Sequence, residues 1–304
     1  MTRKVIAPAL KIVTWPLGFI RGPAQVFFVS AMFFLATFLV LTVATANRSF
    51  LIEAHTTTLD VVFGEGQNVW RLPEATVCIP LDVPDFASKG PCGIAFEAKG
   101  EPSEAIISWA ENTKINVSTQ SDALQITVLE APGSDMIERS YFLLSAKSWK
   151  SAGALTFRAS VIVGQDLQSG SRNLLLNGRW EAREAGLVTS FFRNVTEVVK
   201  QGTLPAGSKA TVLIDGNPAR VYGHFTQSED NTLYVNVVSQ LGNTALQLNS
   251  FGLDEPILIE PDWVDSAISS PLLLALAVFF SILASASQVF SDTSSITPRK
   301  EAEE

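Results

Sequence analysis

Only two histidines and two cysteines occur among 304 residues, too few to supply a convincing ligand set for a structural or catalytic metal. Neither histidine, His55 or His224, falls in a local nucleophile signature such as Gly-x-Ser-x-Gly. Each is read as a sheet residue satisfied by a hydrogen bond. The stretch from Gly202 to Lys209 has the glycines of a phosphate loop but not its Gly-Lys-Ser/Thr order, so it reads as a turn before a strand. No repeat of 20–50 residues is visible, which argues against a propeller or solenoid. Basic residues are also scarce, 22 against 30 acidic ones. The segment from Asn47 to Ser270 holds 16 of the basic and 26 of the acidic residues, a formal charge of −10. An acidic body of this kind repels nucleic acid and anionic headgroups. Neither nucleic-acid binding nor a cofactor is expected.

Charge is missing altogether from two long stretches, Gly22–Asn47 and Ser266–Ser291. A helix crossing the hydrocarbon core needs about 20 apolar residues, and both stretches reach that length. The first twenty-three residues carry Arg3, Lys4, Lys11 and Arg21 without an acid, and the tail carries Arg299 and Lys300. By the positive-inside rule both ends are cytoplasmic. The expected plan is therefore a basic cytoplasmic segment (1–23), a first span (24–46), an extracytoplasmic body (47–265), a second span (266–291) and a cytoplasmic tail (292–304), all in the plasma membrane. Ala44-Thr45-Ala46 resembles a signal cleavage site, but the run is longer than the roughly 7–15 apolar residues of a signal peptide. Trp15 and Trp263 are placed as anchors at the membrane interface. Ala277, Ser281 and Ser285 recur every four residues, a small-residue stripe of the kind through which helices pack in lipid.

Between the runs the pattern is that of antiparallel sheet. Short alternating stretches such as Leu124–Val128 and Leu155–Ala159 have a period of two and are bounded by Gly, Pro, Asn and Asp. About fifteen strands are expected in a β-sandwich-like body, divided into subdomains 47–165 and 166–265. Asn177-Gly178 and Asp215-Gly216 are expected to form tight turns, since both pairs tolerate positive φ. One exception stands out. In Gly186–Lys200, Leu187, Phe191, Val195 and Val198 fall at helical spacing, predicting a short amphipathic helix.

Cys78 and Cys92 flank a loop rich in Pro and Gly. A disulfide there closes about fifteen residues, worth roughly 3 kcal/mol in the chain-entropy account; the alternative is two buried thiols. Trp70, Trp109, Trp149 and Trp180 have two readings: core residues burying about 150–250 Å² each, or a platform on which sugars stack. The acids of Asp254–Asp265 are read as a hydrated neck. Three Asn-x-Ser/Thr matches, at Asn47, Asn116 and Asn194, are what composition alone produces. With no catalytic set in view, the expected function is that of a non-enzymatic accessory, scaffold or assembly subunit of a membrane-embedded envelope complex. Its partners would be the lipid bilayer and other membrane-protein subunits or further copies of itself. The alternative is a glycan-binding module in envelope polysaccharide export, and a lesser one is an extracytoplasmic hydrolase using carboxylates.

Overall fold

The computed structural model describes residues 30–34, 36–37, 47–87, 90–120, 122–165, 174–185, 196–250, 253, 255–269, 274–275, 278–279, 281–282 and 285. The chain from Asn47 onward builds strands β1 (Asn47–Thr56), β2 (Thr58–Phe63), β3 (Asn68–Pro80), β4 (Phe96–Ala98), β5 (Ser103–Trp109), β6 (Lys114–Gln120), β7 (Ala123–Glu130) and β8 (Tyr141–Ser145). Helix α1 (Ala146–Ala152) follows, then β9 (Leu155–Val163), β10 (Leu175–Ala185), β11 (Glu197–Leu204), β12 (Lys209–Ile214), β13 (Asn217–Pro218), β14 (Val221–Gln227), β15 (Leu233–Ser239), β16 (Thr244–Asn249), β17 (Ile257–Ile259) and helix α2 (Trp263–Ser269). Every strand pairing among the described residues is antiparallel. The all-β, sandwich-like expectation holds at that level.

The order of strands follows from where each apolar stripe finds cover. One continuous ribbon runs β11–β10–β1–β15–β14–β9–β2–β6–β7–β8–β3–β5. Near its C-terminal end β9 also pairs with β12, which leads to β16 and β17. The ribbon curls back on itself: the Asn68 side chain of β3 accepts from the Arg158 amide of β9 at 2.8 Å, and the Trp70 indole donates to the Thr156 carbonyl at 2.7 Å. Inside the curl Phe63 stacks on Trp109 with 5.1 Å between centroids, while Trp70 meets Phe63, Trp109 and Phe225 edge-on, the arrangement that ring quadrupoles favour. Strands from both sides of residue 165 share these pairings and one apolar cluster.

Several local expectations change. Asn177-Gly178 is not a turn: both residues lie inside β10, opposite His55 and Ala54 of β1. A Cβ on Gly178 would sit 2.8 Å from the Glu53 carbonyl oxygen, so the glycine is there for close backbone approach rather than for positive φ. Asp215 and Gly216 do take positive φ, 49° and 79°, and turn β12 into β13. The end of the expected amphipathic helix, Glu197–Lys200, is instead the start of β11; residues 186–195 lie outside the described set. A helix forms where none was expected, at α1, capped by Ser145, whose Oγ accepts from the Ser148 amide at 3.2 Å.

The two-span plan, and with it the plasma-membrane localisation, is overturned. Among the described residues no helix is long and apolar enough to cross a membrane. In the first uncharged run the described helical residues are 30–34 and 36–37; in the second they are the end of α2 and residues 274–275, 278–279, 281–282 and 285. The physical reason is clearest at α2, which is tied to the sheet at the very start of the second run. Ser266 is buried and its hydroxyl donates to the Glu184 carboxylate at 2.5 Å, while Lys200 of β11 pairs with Asp265 at 2.8 Å. Hydropathy alone does not register such polar ties. Trp15, Ala277 and segments 1–23 and 292–304 lie outside the described residues. Trp263 is the first residue of α2, and the Ser285 hydroxyl donates to the Ser281 carbonyl at 2.9 Å.

Candidate functional site

Two surfaces gather chemistry. The first is the loop between β3 and β4. Cys78 and Cys92 are bonded, with Cα atoms 5.6 Å apart. Beneath the bridge the Tyr141 hydroxyl donates to the Cys92 carbonyl at 2.6 Å and its ring meets Phe96 edge-on at 4.8 Å. Burial holds the Tyr141 phenol above its ordinary pKa, so it keeps the proton that it donates. The loop has its own backbone bonds, Leu81 amide to Ala95 carbonyl at 3.0 Å and Asp85 amide to Ile94 carbonyl at 2.8 Å. On this frame Val83 and Phe86 stand outward, 76% and 82% exposed. Beside it lies an open depression of about 790 Å³ walled by Glu74, Pro91, Glu101, Pro102 and Leu143. Glu74 adopts φ 49° there and accepts from the Ser148 hydroxyl of α1 at 2.9 Å.

The second surface is the outer face of the ribbon from β10 to β9, opposite the core. The registers set Arg179 beside Glu53, Glu53 beside Asn236, Asn236 beside His224, and His224 beside Thr156. They form one polar row across five strands. Arg179 pairs with Glu53 at 2.7 Å, and this bond holds the guanidinium pKa above its usual value. Asn236 approaches the second Glu53 oxygen at 3.5 Å. Parallel to that row His55 lies between Asn177 and Tyr234, with 5.1 Å between the His55 and Tyr234 rings and Ser228 3.4 Å from the His55 Nδ1. On the other flank Tyr222 lies beneath the Arg158 guanidinium, 4.7 Å from its centroid. Glu53, His55, Asn177, Arg179 and Tyr234 line an open pocket of about 300 Å³.

The four tryptophans are in neither surface. Trp70, Trp109, Trp149 and Trp180 are all buried in the main core, and a buried ring has no open face for a sugar. Both histidines lie on the outer face as sheet residues, and at His55 the Ser228 hydroxyl is 3.4 Å from Nδ1. Sequence reading did not bring them to one face, because their neighbouring rows depend on pairings between β1, β15 and β14. The one available signal was alternation: Glu53 and His55 on β1, and Tyr234 and Asn236 on β15, fall at the outward positions of their strands. Among the described residues no group of three or more His, Cys, Asp or Glu is placed to hold a metal ion.

The fold and these surfaces define a class, an antiparallel β protein with one disulfide-stapled loop. The chain matches no family model, no curated protein and no solved structure.

Proposed function

We propose that the chain is a non-enzymatic accessory subunit, a β scaffold that docks on a protein partner. The observation supporting this reading is the stapled loop. An exposed Phe or Val side chain forgoes roughly 1.5–3 kcal/mol of burial, yet Val83 and Phe86 are held outward on a cross-linked, hydrogen-bonded frame. A pre-ordered aromatic knob binds at low entropic cost. Its surroundings are acidic, with Asp82 and Asp85 on the loop and Glu74 and Glu101 around the adjoining depression. The matching partner surface is an apolar socket with a basic rim.

The test compares the full chain with the double substitution Val83→Ser, Phe86→Ser. Both are co-purified from the native source after brief crosslinking, with bound proteins identified and melting temperatures checked. A partner retained by the parent and lost by the variant, at equal melting temperature, is expected. A parent that runs alone as a monomer, or a variant that keeps the same partner, defeats the reading.

A further inference from the structure

We infer that the outer face of β10, β1, β15, β14 and β9 is a binding site for a neutral oligosaccharide, in which the polar row holds hydroxyl groups and Tyr234 and Tyr222 pack against the sugar rings. This does not rest on the docking loop, whose residues lie between β3 and β4.

The first ground is the donor and acceptor pattern. Along the row Arg179 only donates, Glu53 only accepts, and Asn236, His224 and Thr156 each do both. A sugar hydroxyl is itself both donor and acceptor, so a run of hydroxyls is satisfied by such a mixed row. An anion would need unpaired donors and a cation unpaired acceptors.

The second ground is charge. Arg179 is paired with Glu53 at 2.7 Å, and further along β10 Arg183 is paired with Glu181 at 2.8 Å. Two of the three arginines of this face are thus balanced, and the third, Arg158, lies over the Tyr222 ring; one cation beside two ion pairs makes a weak field, which suits an uncharged polar ligand better than a polyanion. The pairing also holds the guanidinium and carboxylate in fixed geometry before any ligand arrives.

The third ground is the flanking rings. Tyr234 with His55 on one side and Tyr222 on the other border the row; the Arg158 guanidinium covers one face of Tyr222, which still remains 41% exposed. Each ring combines an apolar face with a polar edge, as the C–H faces and hydroxyls of a sugar require. Tyr222 is anchored by the Gln240 amide, which donates to its hydroxyl at 3.1 Å.

Length is the fourth ground. Adjacent strands are about 4.8 Å apart, so a row crossing five of them spans roughly 19 Å. That accommodates a short chain of sugar rings lying across the strands, with one terminal ring in the pocket of about 300 Å³ beside Glu53 and His55.

The experiment is calorimetric titration of the full chain with cellohexaose, maltohexaose and chitohexaose, and with a hyaluronate oligomer as the anionic probe. Binding of at least one neutral hexamer is expected, weakened about tenfold or more by Tyr234→Ala and by Tyr222→Ala. Glu53→Gln is expected to weaken it while leaving the melting temperature within a few degrees; Val83→Ser, Phe86→Ser is expected to leave it unchanged. Absence of binding by every neutral probe overturns the inference. So does binding that survives both tyrosine substitutions, or a preference for hyaluronate. Because both tyrosines are on the surface, amide resonances of Glu53, Asn236 and His224 shifting on addition of the neutral hexamer provide a second readout in the unsubstituted protein.

Discussion

The hydroxyl of Ser266 donates to the carboxylate of Glu184 at 2.5 Å, joining α2 to β10. Arg48 of β1 approaches the same carboxylate oxygen at 3.4 Å. A carboxylate only 8% exposed is tolerable because these partners compensate its lost hydration. Replacement of Glu184 by Ala removes the acceptor and leaves Arg48 without its ion pair. A loss of about 1–3 kcal/mol in chemical denaturation is expected, and the amides of α2 should lose hydrogen-exchange protection first.

A second tie to the same helix titrates. Lys200 donates to Asp265 at 2.8 Å, and this bond, with further help from the Asp262 backbone, holds the Asp265 carboxyl below its ordinary pKa. A depressed carboxylate contributes stability above its unfolded pKa and loses it as pH falls through the folded value. Lys200→Met should therefore lower the melting temperature at neutral pH, with the difference shrinking as the solution is acidified below the ordinary aspartate range. The pair is near the surface, so high salt should shrink the difference too.

Asp60 behaves in the opposite sense. On β2 it is largely shielded from water; burial raises its pKa, opposed by the Asn116 amide, 2.6 Å away, and by Lys209. With the folded pKa raised, the folded state holds the proton more tightly. Stability falls as pH rises from the unfolded value near 3.8 through the folded one. Asp60→Asn keeps an acceptor for Asn116 without the charge. It should stabilise the protein at neutral pH and be without effect near pH 3, measured as melting temperature against pH.

Gly202 lies against the Trp180 indole: a Cβ there would come within 2.7 Å of the ring. The two residues are directly opposed in the β10–β11 pairing. Gly202→Ala is expected to cost about 1–3 kcal/mol through overpacking and to shift the Trp180 emission. A silent substitution would mean that β11 yields freely.

Strand after strand was legible in the sequence because the evidence for it is local. In β7 and β9 every second residue is apolar and buried, and the period of two survives any choice of neighbour. The disulfide was legible from two cysteines flanking one loop. Asn177-Gly178 shows where local chemistry misleads, since a pair that suits a turn suits equally a strand that must approach another backbone closely. Likewise Val198 fits a helical stripe on paper, but its segment pairs with β10 and the ladder decides its conformation.

What the sequence by itself determined is the kind of body: antiparallel and acidic, with two cysteines flanking one loop. Tertiary structure alone decided which residues meet. Glu53, Asn236 and His224 are far apart in the chain, and only the β1–β15 and β15–β14 registers place them side by side. The same holds for the uncharged run that opens at Ser266. Its composition is that of a span, yet a contact with Glu184, 82 residues earlier, binds its first turn to the sheet. Hydropathy sums over neighbours in sequence; a buried hydrogen bond is made with a neighbour in space.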